Sequence, residues 1–420
     1  MKLVELHALD FAAIVKPGDR VAWGQAGAEP LALTRALMAQ RAAIGRLSAF
    51  IGISWSDMVA PGHADHVRFS SYCGAGNNRR LAKAGLLDVL PCHYSELPEM
   101  IRTGRLKIDV LMLQVAPPNA SGRFSLSIAH EYLVAALDAA RVVVAEINDQ
   151  APWTFGERSL GESDIDIAVL TSRTPLAAPG RVPSADEFAV ARRVVALIED
   201  GSTLQFGIGS LPEAVLRSLS GHRDLGVHTG ALLDAAADLA AQGIINNEKK
   251  TVDPGLTVAG LMLGGRSVYD YAHDNPHVQF CSVEYTHSAR VLAAQDRFVS
   301  INSAIEVDLT GQINAEVAGG AYVGAVGGAI DFTRGAHHSK GGLPIVALPS
   351  TAGSDGHRTS RIVVRLSGPV STPRSDAGLI VTEHGVADLR GLSLAQRIPM
   401  MIALADAEFR DSLEEASRAV

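Results

Sequence analysis

Cysteine is scarce: three thiols, Cys73, Cys92 and Cys281, are spread over 420 residues. That number and spacing make no disulfide framework and no metal-ligand cluster, and they fit a reducing, cytoplasmic setting. Basic residues are outnumbered. Lys and Arg total 37 against 45 Asp and Glu, a formal charge of −8, which argues against the basic patches of nucleic-acid binding. Long apolar runs are missing too. No stretch approaches the ~20 residues that cross a bilayer. Asp10, Lys16 and Asp19 interrupt the opening of the chain, so no secretory leader is predicted. Histidines number 14, yet metal-like spacing is absent. His337 and His338 are adjacent and would point to opposite faces of a strand. His384 has no second histidine one helical turn on. His63 and His66 follow Pro61-Gly62 in what reads as a polar loop. No metal site is predicted. Gly-x-Ser-x-Gly is absent, which removes an α/β-hydrolase elbow.

What the chain does carry is apolar content, 47% against 20% charged, enough for a large packed core. Its length suits two or three domains. Forty glycines predict many tight turns and close backbone approaches. Residues 20–23 read as a strand and 24–27 as a turn. Glu29-Pro30 opens a helix over 31–43, with Pro at a tolerated first-turn position. Residues 108–115 and 142–147 read as buried strands. Strand, helix, strand at this spacing predicts an α/β fold around a mainly parallel sheet. The Pro-rich segment 172–184 reads as a linker between domains 1–178 and 186–420. Ser184, with Glu187 three residues on, has capping-box spacing ahead of a helix over 188–198.

Several segments have the chemistry of ligand loops. Residues 204–209 read as a strand running into the turn Gly207-Ile208-Gly209, with Pro212 opening the next helix. Glycines there admit a ligand to the backbone, and a helix start offers free N–H groups to an anion. The same pattern also serves as an ordinary strand-to-helix turn. Because position 212 is Pro, the third glycine of a dinucleotide fingerprint is missing. Five glycines fall within residues 319–328, a composition that suits a loop packed against a ligand. Lys340 is either a phosphate contact or a solvated turn lysine. Asp308, before Thr310-Gly311, reads as a turn former. Segments 349–351, 360–361 and 371–374 carry hydroxyls and arginines that bind phosphate or close turns.

Together these segments carry a resemblance: Gly207-Ile208-Gly209 after a strand, residues 301–312, 326–332, Arg334-Gly335-Ala336, 339–342, and above all 381–391. Upstream, Arg79-Arg80 and residues 85–91 and 93–98 fit the same pattern. Over nearly its whole length the chain resembles the acetyl-CoA hydrolase/transferase family, of the 4-hydroxybutyrate CoA-transferase type within the family I CoA-transferases. The resemblance implies two related open α/β domains with the active site in the cleft between them. It implies coenzyme A as a co-substrate with no permanently bound cofactor, an acyl-CoA and a small carboxylate as partners, no nucleic acid or membrane, and a cytoplasmic homodimer. It also implies a Glu carboxylate that attacks acyl-CoA, passing through an acyl-glutamyl anhydride to a glutamyl-CoA thioester, while backbone N–H groups hold the oxyanion. Carried over residue by residue, the CoA-binding set is Gln205, Phe206, Gly207, Ile208, Gly209, Ile305, Gly327, Gly328 and Lys340. The N–H groups of Phe206 and Gly328 are the oxyanion-hole candidates.

The chain departs from the family at two places. The family's nucleophile stands in a segment reading His, then Thr or Ser, then Glu; here it reads His228-Thr229-Gly230. Glycine has no side chain, so glutamyl-thioester chemistry cannot occur at position 230. The family's Asp-Tyr-Thr-Asn reads here Glu284-Tyr285-Thr286-His287. Two readings follow. In the first, the chain is a CoA-transferase or acyl-CoA hydrolase working without the usual Glu. His287 then serves as general base, since an unperturbed imidazole titrates near working pH. Glu29, in a first-domain loop facing the cleft, is a further candidate carboxylate. The alternatives are a structural histidine at 287 and, at 29, an exposed helix-start Glu favoured by the helix dipole. In the second reading, the chain is a CoA-binding pseudoenzyme or regulatory subunit. The enzyme reading is preferred, because the other segments keep their polar residues.

Overall fold

The computed structural model describes residues 1–180, 182–353 and 357–418; Arg181, inside the Pro-rich segment, lies outside them. The expected α/β character is realised as two parallel-rich sheets. The first runs Lys2–Leu3, Ile167–Thr171, Val142–Asn148, Val110–Val115, Arg20–Trp23, Leu47–Ile51, Val67–Ser71, Leu87–Val89, with every neighbouring pair parallel. Val110–Val115 is buried along its whole length, as expected of a parallel strand covered on both faces. The second sheet runs Gly226–Val227, Thr203–Phe206, Phe298–Ser303, Leu343–Ala347, Leu379–Thr382, Gly385–Asp388, and only its last pair is antiparallel.

Local signals behave as their chemistry demands. The helix after Glu29-Pro30 spans Leu31–Ile44. Ser184 caps the helix Ala185–Val195 in a reciprocal box: Glu187 N donates to Ser184 Oγ at 3.2 Å and Ser184 N to Glu187 Oε2 at 2.7 Å. Asp308 is a turn former, accepting from Thr310 N at 2.8 Å and Gln312 N at 2.9 Å. Arg361 donates to Ile305 O at 2.7 Å, and Ser371 Oγ to Glu316 Oε1 at 2.7 Å, so these residues tie distant segments together. Three details differ from the sequence reading. The helix Ser210–Arg217 starts ahead of Pro212, which sits in the first turn, where no N–H bond is needed. The 319–328 segment is part hairpin: Val317–Ala318 pairs with Ala321–Tyr322. Gly319 and Gly320 turn it at φ 56 and 75, angles that suit glycine. His337 and His338 close the helix Ala329–His338 rather than lie on a strand.

Main-chain bonds stitch residues before the Pro-rich segment to residues after it. Tyr94 N donates to Gly327 O at 3.0 Å, Gly74 N to Gly324 O at 2.8 Å, His130 N to Gly260 O at 2.9 Å and Met262 N to Ile128 O at 2.9 Å. The strand Phe155–Gly156 pairs in parallel with Val278–Phe280. Among the described residues, no helix is long and apolar enough to cross a membrane.

Candidate active site

Strand Thr203–Phe206 delivers the glycine turn. Gln205 is buried and its amide pairs with Asn302 across the neighbouring strand, at 3.1 and 3.3 Å. Its side chain is therefore committed inside the protein. The Phe206 ring is likewise buried, and its carbonyl accepts from Thr229 Oγ1 at 3.3 Å. Gly207 N donates to Ile301 O at 2.8 Å. A Cβ on Gly207 would stand 3.2 Å from Asn302 Oδ1. Gly209 has φ 117 and ψ −179, a region that only glycine occupies readily. Ile208 between the glycines is 44% exposed. The turn thus offers backbone, with little side-chain cover. Ile305 is half-buried beside it in sequence register, just past the strand that ends at Ser303.

Thr229 hydrogen-bonds the glycine turn and leads into Gly230. The His228 imidazole, fully buried and pushed down to about 3 by that burial, bonds through Nε2 to Thr286 O at 3.0 Å. That bond brings the segment ending at His287 alongside Gly230. The His287 ring bonds through Nδ1 to Thr286 Oγ1 at 2.9 Å and packs on Phe332, centroid to centroid 4.4 Å. A Cβ on Gly230 would stand 3.3 Å from His287 Cε1 and 3.5 Å from Nε2, while a Cβ on Gly328 would stand 2.7 Å from His287 Cδ2. One imidazole therefore lies between Gly230 and the second glycine loop. Gly230, Gly327 and Gly328 are half-buried. Gly328 caps the ten-residue helix Ala329–His338, whose start carries partial positive charge. Burial pushes the His287 imidazole down to about 3, so it is neutral at working pH and a weak base there.

Two candidate residues sit elsewhere than the sequence suggested. Glu29 is not exposed at the helix start: it is 1% exposed. Its Oε1 accepts from Thr34 Oγ1 at 2.8 Å and Ser56 Oγ at 2.7 Å, and desolvation pushes the carboxyl up to about 7. No hydrogen bond or ring contact joins it to His287 among the described residues. Lys340 is exposed beyond the far end of the helix that Gly328 begins, where its carbonyl accepts from Arg297 N at 2.8 Å. Ten helical residues separate it from the glycine loop by about 15 Å.

Sequence reasoning missed a carboxylate. Glu131 is fully buried in the stretch linked to Gly260. Its Oε2 accepts from Gln25 Nε2 at 2.6 Å and from the Tyr94 hydroxyl. Gln25 is itself fixed by Ile53 N at 2.8 Å and Tyr72 OH at 2.8 Å. The Tyr94 ring lies 5.3 Å from the His287 ring, centroid to centroid. The available signal was the polar pair His130-Glu131 interrupting an apolar run, a pattern that an apolar core tolerates only with partners.

Comparisons with known proteins place the chain in one family. Residues 2–199 match the model of the acetyl-CoA hydrolase/transferase N-terminal domain, and residues 264–417 that of the C-terminal domain. The chain is 37% identical over 405 residues to the 4-hydroxybutyrate coenzyme A transferase of Clostridium kluyveri, covering 94% of this chain and 92% of that protein. It is 35% identical over 412 residues to the butyryl-CoA:acetate CoA-transferase of Anaerostipes caccae, covering 95% and 92%. Among solved structures, RipA from Yersinia pestis superposes with a TM-score of 0.93 at 31% identity, covering 100% of this chain and 97% of that one. A 4-hydroxybutyrate CoA-transferase from Porphyromonas gingivalis gives a TM-score of 0.83 at 35% identity, with the same coverage.

Proposed function

The chain belongs to the acetyl-CoA hydrolase/transferase family, and on that premise we propose that it moves CoA between a small acyl-CoA and a carboxylate, or hydrolyses the thioester, by a route that does not pass through residue 230. One observation carries the second half of this proposal. The His287 ring stands 3.3 Å from where a side chain at 230 would begin, so the two departures from the family pattern fit each other in space. The site has kept its shape around a ligand and given up one carboxylate.

In this reading, the thioester lies between the turn at 205–209 and the loop at 327–328, with domains 1–178 and 186–420 on either side. The N–H groups of Phe206 and Gly328 receive the charge that develops on the carbonyl oxygen, and the start of the helix Ala329–His338 adds its dipole. Neutral His287 borders the reacting carbon and orders it, and does little as a base. Names such as butyryl-CoA:acetate CoA-transferase among the relatives support a short acyl chain and a small acceptor. The same reading carries a cytoplasmic homodimer; a sedimentation mass of one chain at micromolar concentration would contradict the dimer.

The test is a single-turnover assay of free thiol with acetyl-, butyryl- and succinyl-CoA, beside calorimetry with CoA. Release of thiol supports the enzyme. Binding of CoA with neither thiol release nor transfer of CoA to added acetate leaves the binding-only alternative, and no binding at millimolar CoA refutes both. Gly207→Val and Gly328→Val should each weaken CoA binding, because the branched side chains press on Asn302 and His287 and displace the two loops.

A further inference from the structure

We propose that Glu131 is the catalytic carboxylate of this site, taking the proton from the water that attacks the acyl-CoA carbonyl. This rests on the acyl-CoA reading above and names the base which that reading lacks.

Position is the first ground. The point that a Cβ on Gly260 would occupy is 3.0 Å from Gly230 O and 3.7 Å from Glu131 Cγ. Glu131 therefore stands close to the Gly230 backbone, and Tyr94, which donates to it, lies with its ring 5.3 Å from that of His287, centroid to centroid. The placement is rigid, since main-chain bonds on both sides of Glu131, from His130 N to Gly260 O and from Met262 N to Ile128 O, each 2.9 Å, lock its segment to the second half of the chain.

The second ground is the state of the carboxyl. Both donors, Gln25 and Tyr94, are spent on Oε2. Oε1 is buried without a hydrogen-bond partner among the described residues, and an unmet buried acceptor is a destabilising arrangement that folds seldom keep. The backbone is held in the left-handed region as well, at φ 39, which disfavours a residue with a side chain by about 1–2 kcal/mol. Strained backbone and an unsatisfied oxygen together are the marks of a residue kept for use.

The third ground is the electrostatic surroundings. Burial pushes the Glu131 carboxyl up to about 7, against the lowering pull of Tyr94 and Gln25. The groups facing it do not compete. Tyr94, Tyr72 and Tyr132 are pushed well up by burial, Cys73 is also raised, and His287 and His130 are held down to about 3. Within this cluster Glu131 alone changes charge near neutrality, where a general base works best. Glu29, also near 7, sits apart between Thr34 and Ser56.

The step balances with water as co-reactant. A water proton passes to Glu131 Oε1 while the water oxygen bonds to the thioester carbon. The carbonyl electron pair moves to the oxygen held by Phe206 and Gly328. Collapse breaks the C–S bond, and the CoA thiolate takes the proton back from Glu131. The products are the free acid and CoA thiol.

The test uses the full chain with butyryl-CoA and a thiol reagent. In the wild type, kcat/KM should rise with pH through a limb near 7. Glu131→Gln, checked for an unchanged melting temperature and CoA affinity, should lower kcat by about 10²–10⁴-fold and lose the limb. Should that variant fail to fold, single turnover of the wild type in ¹⁸O-water decides. Label in the butyrate with none in the Glu131 peptide, and no borohydride-trapped adduct there, supports the base. Label or a borohydride-trapped adduct on Glu131 overturns it in favour of a nucleophile. Undiminished thiol release by Glu131→Gln overturns this assignment alone. Absence of both thiol release and transfer of CoA to added acetate, by the wild type with acetyl-, butyryl- or succinyl-CoA, overturns the acyl-CoA reading beneath it.

Discussion

Returning the family residue to position 230 tests whether His287 excludes it. The backbone permits the change: Gly230 is not among the left-handed glycines, so replacing it removes unfolded-state freedom worth about 0.4–1 kcal/mol. Space opposes it. The new Cβ meets His287 Cε1 at 3.3 Å and Phe332 Cε2 at 3.6 Å, and the longer side chain must pass a ring pinned by Thr286 and Phe332. Overpacking of this kind costs about 1–3 kcal/mol. Gly230→Glu alone should therefore lose up to about 2 kcal/mol once the backbone gain is set against the overpacking. With His287→Asn the ring is gone, and most of that loss should vanish. A double-mutant cycle by urea unfolding should give a favourable coupling of about 1–2 kcal/mol between the two positions, well above the ~0.3–0.5 kcal/mol scatter of independent sites. The double variant, incubated with butyryl-CoA and then borohydride, should carry a modification on the introduced carboxylate, at a position where the wild type carries none. Additive stabilities would refute the steric argument. An unmodified carboxylate at position 230 in a folded, CoA-binding double variant would refute the idea that the rest of the site retains the family's covalent machinery.

Three further outcomes follow from the geometry. Gly328→Ala puts a Cβ 2.7 Å from His287 Cδ2; it should lower stability by about 1–3 kcal/mol, and His287→Ala should relieve the loss, as thermal melts of the pair will show. His287 is held down to about 3 from an ordinary 6.5; its neutral form belongs to the fold, so the stability it contributes is present above pH 6.5 and lost as pH falls toward 3. The advantage of wild type over His287→Asn should accordingly shrink between urea titrations at pH 7.5 and pH 5, and a widening advantage would contradict the buried neutral ring. Lys340→Ala should leave CoA affinity unchanged by calorimetry, because Lys340 stands at the far end of its helix; a tenfold loss would show that the ligand reaches it.

What the amino-acid sequence determined by itself is what local chemistry dictates. Periodicity placed the strands Arg20–Trp23, Val110–Val115 and Val142–Asn148 within a residue or two of where they fold. Ser184 and Glu187 announced a reciprocal cap, Asp308 a turn, and Gly209 a backbone that side chains disfavour. The residue types at positions 230 and 287, a glycine and a histidine, were legible too. That they are one feature was decided only by the tertiary structure, through the bond from His228 to Thr286 that lays one segment beside the other. The same holds for Glu29, read as a helix-start charge. The register of Ser56 against it turns the carboxyl inward, and nothing in the local pattern encodes that neighbour. Lys340 looked like part of a glycine loop until a helix formed between them and carried it away. Glu131 was hidden for the same physical reason. Its partners Gln25 and Tyr94, and Tyr72 behind Gln25, are distant from it in sequence. Its place beside Gly230 is set by main-chain bonds across the two halves. Local periodicity records which face of an element is apolar, and the crossings of a parallel sheet decide which distant polar groups that face encloses.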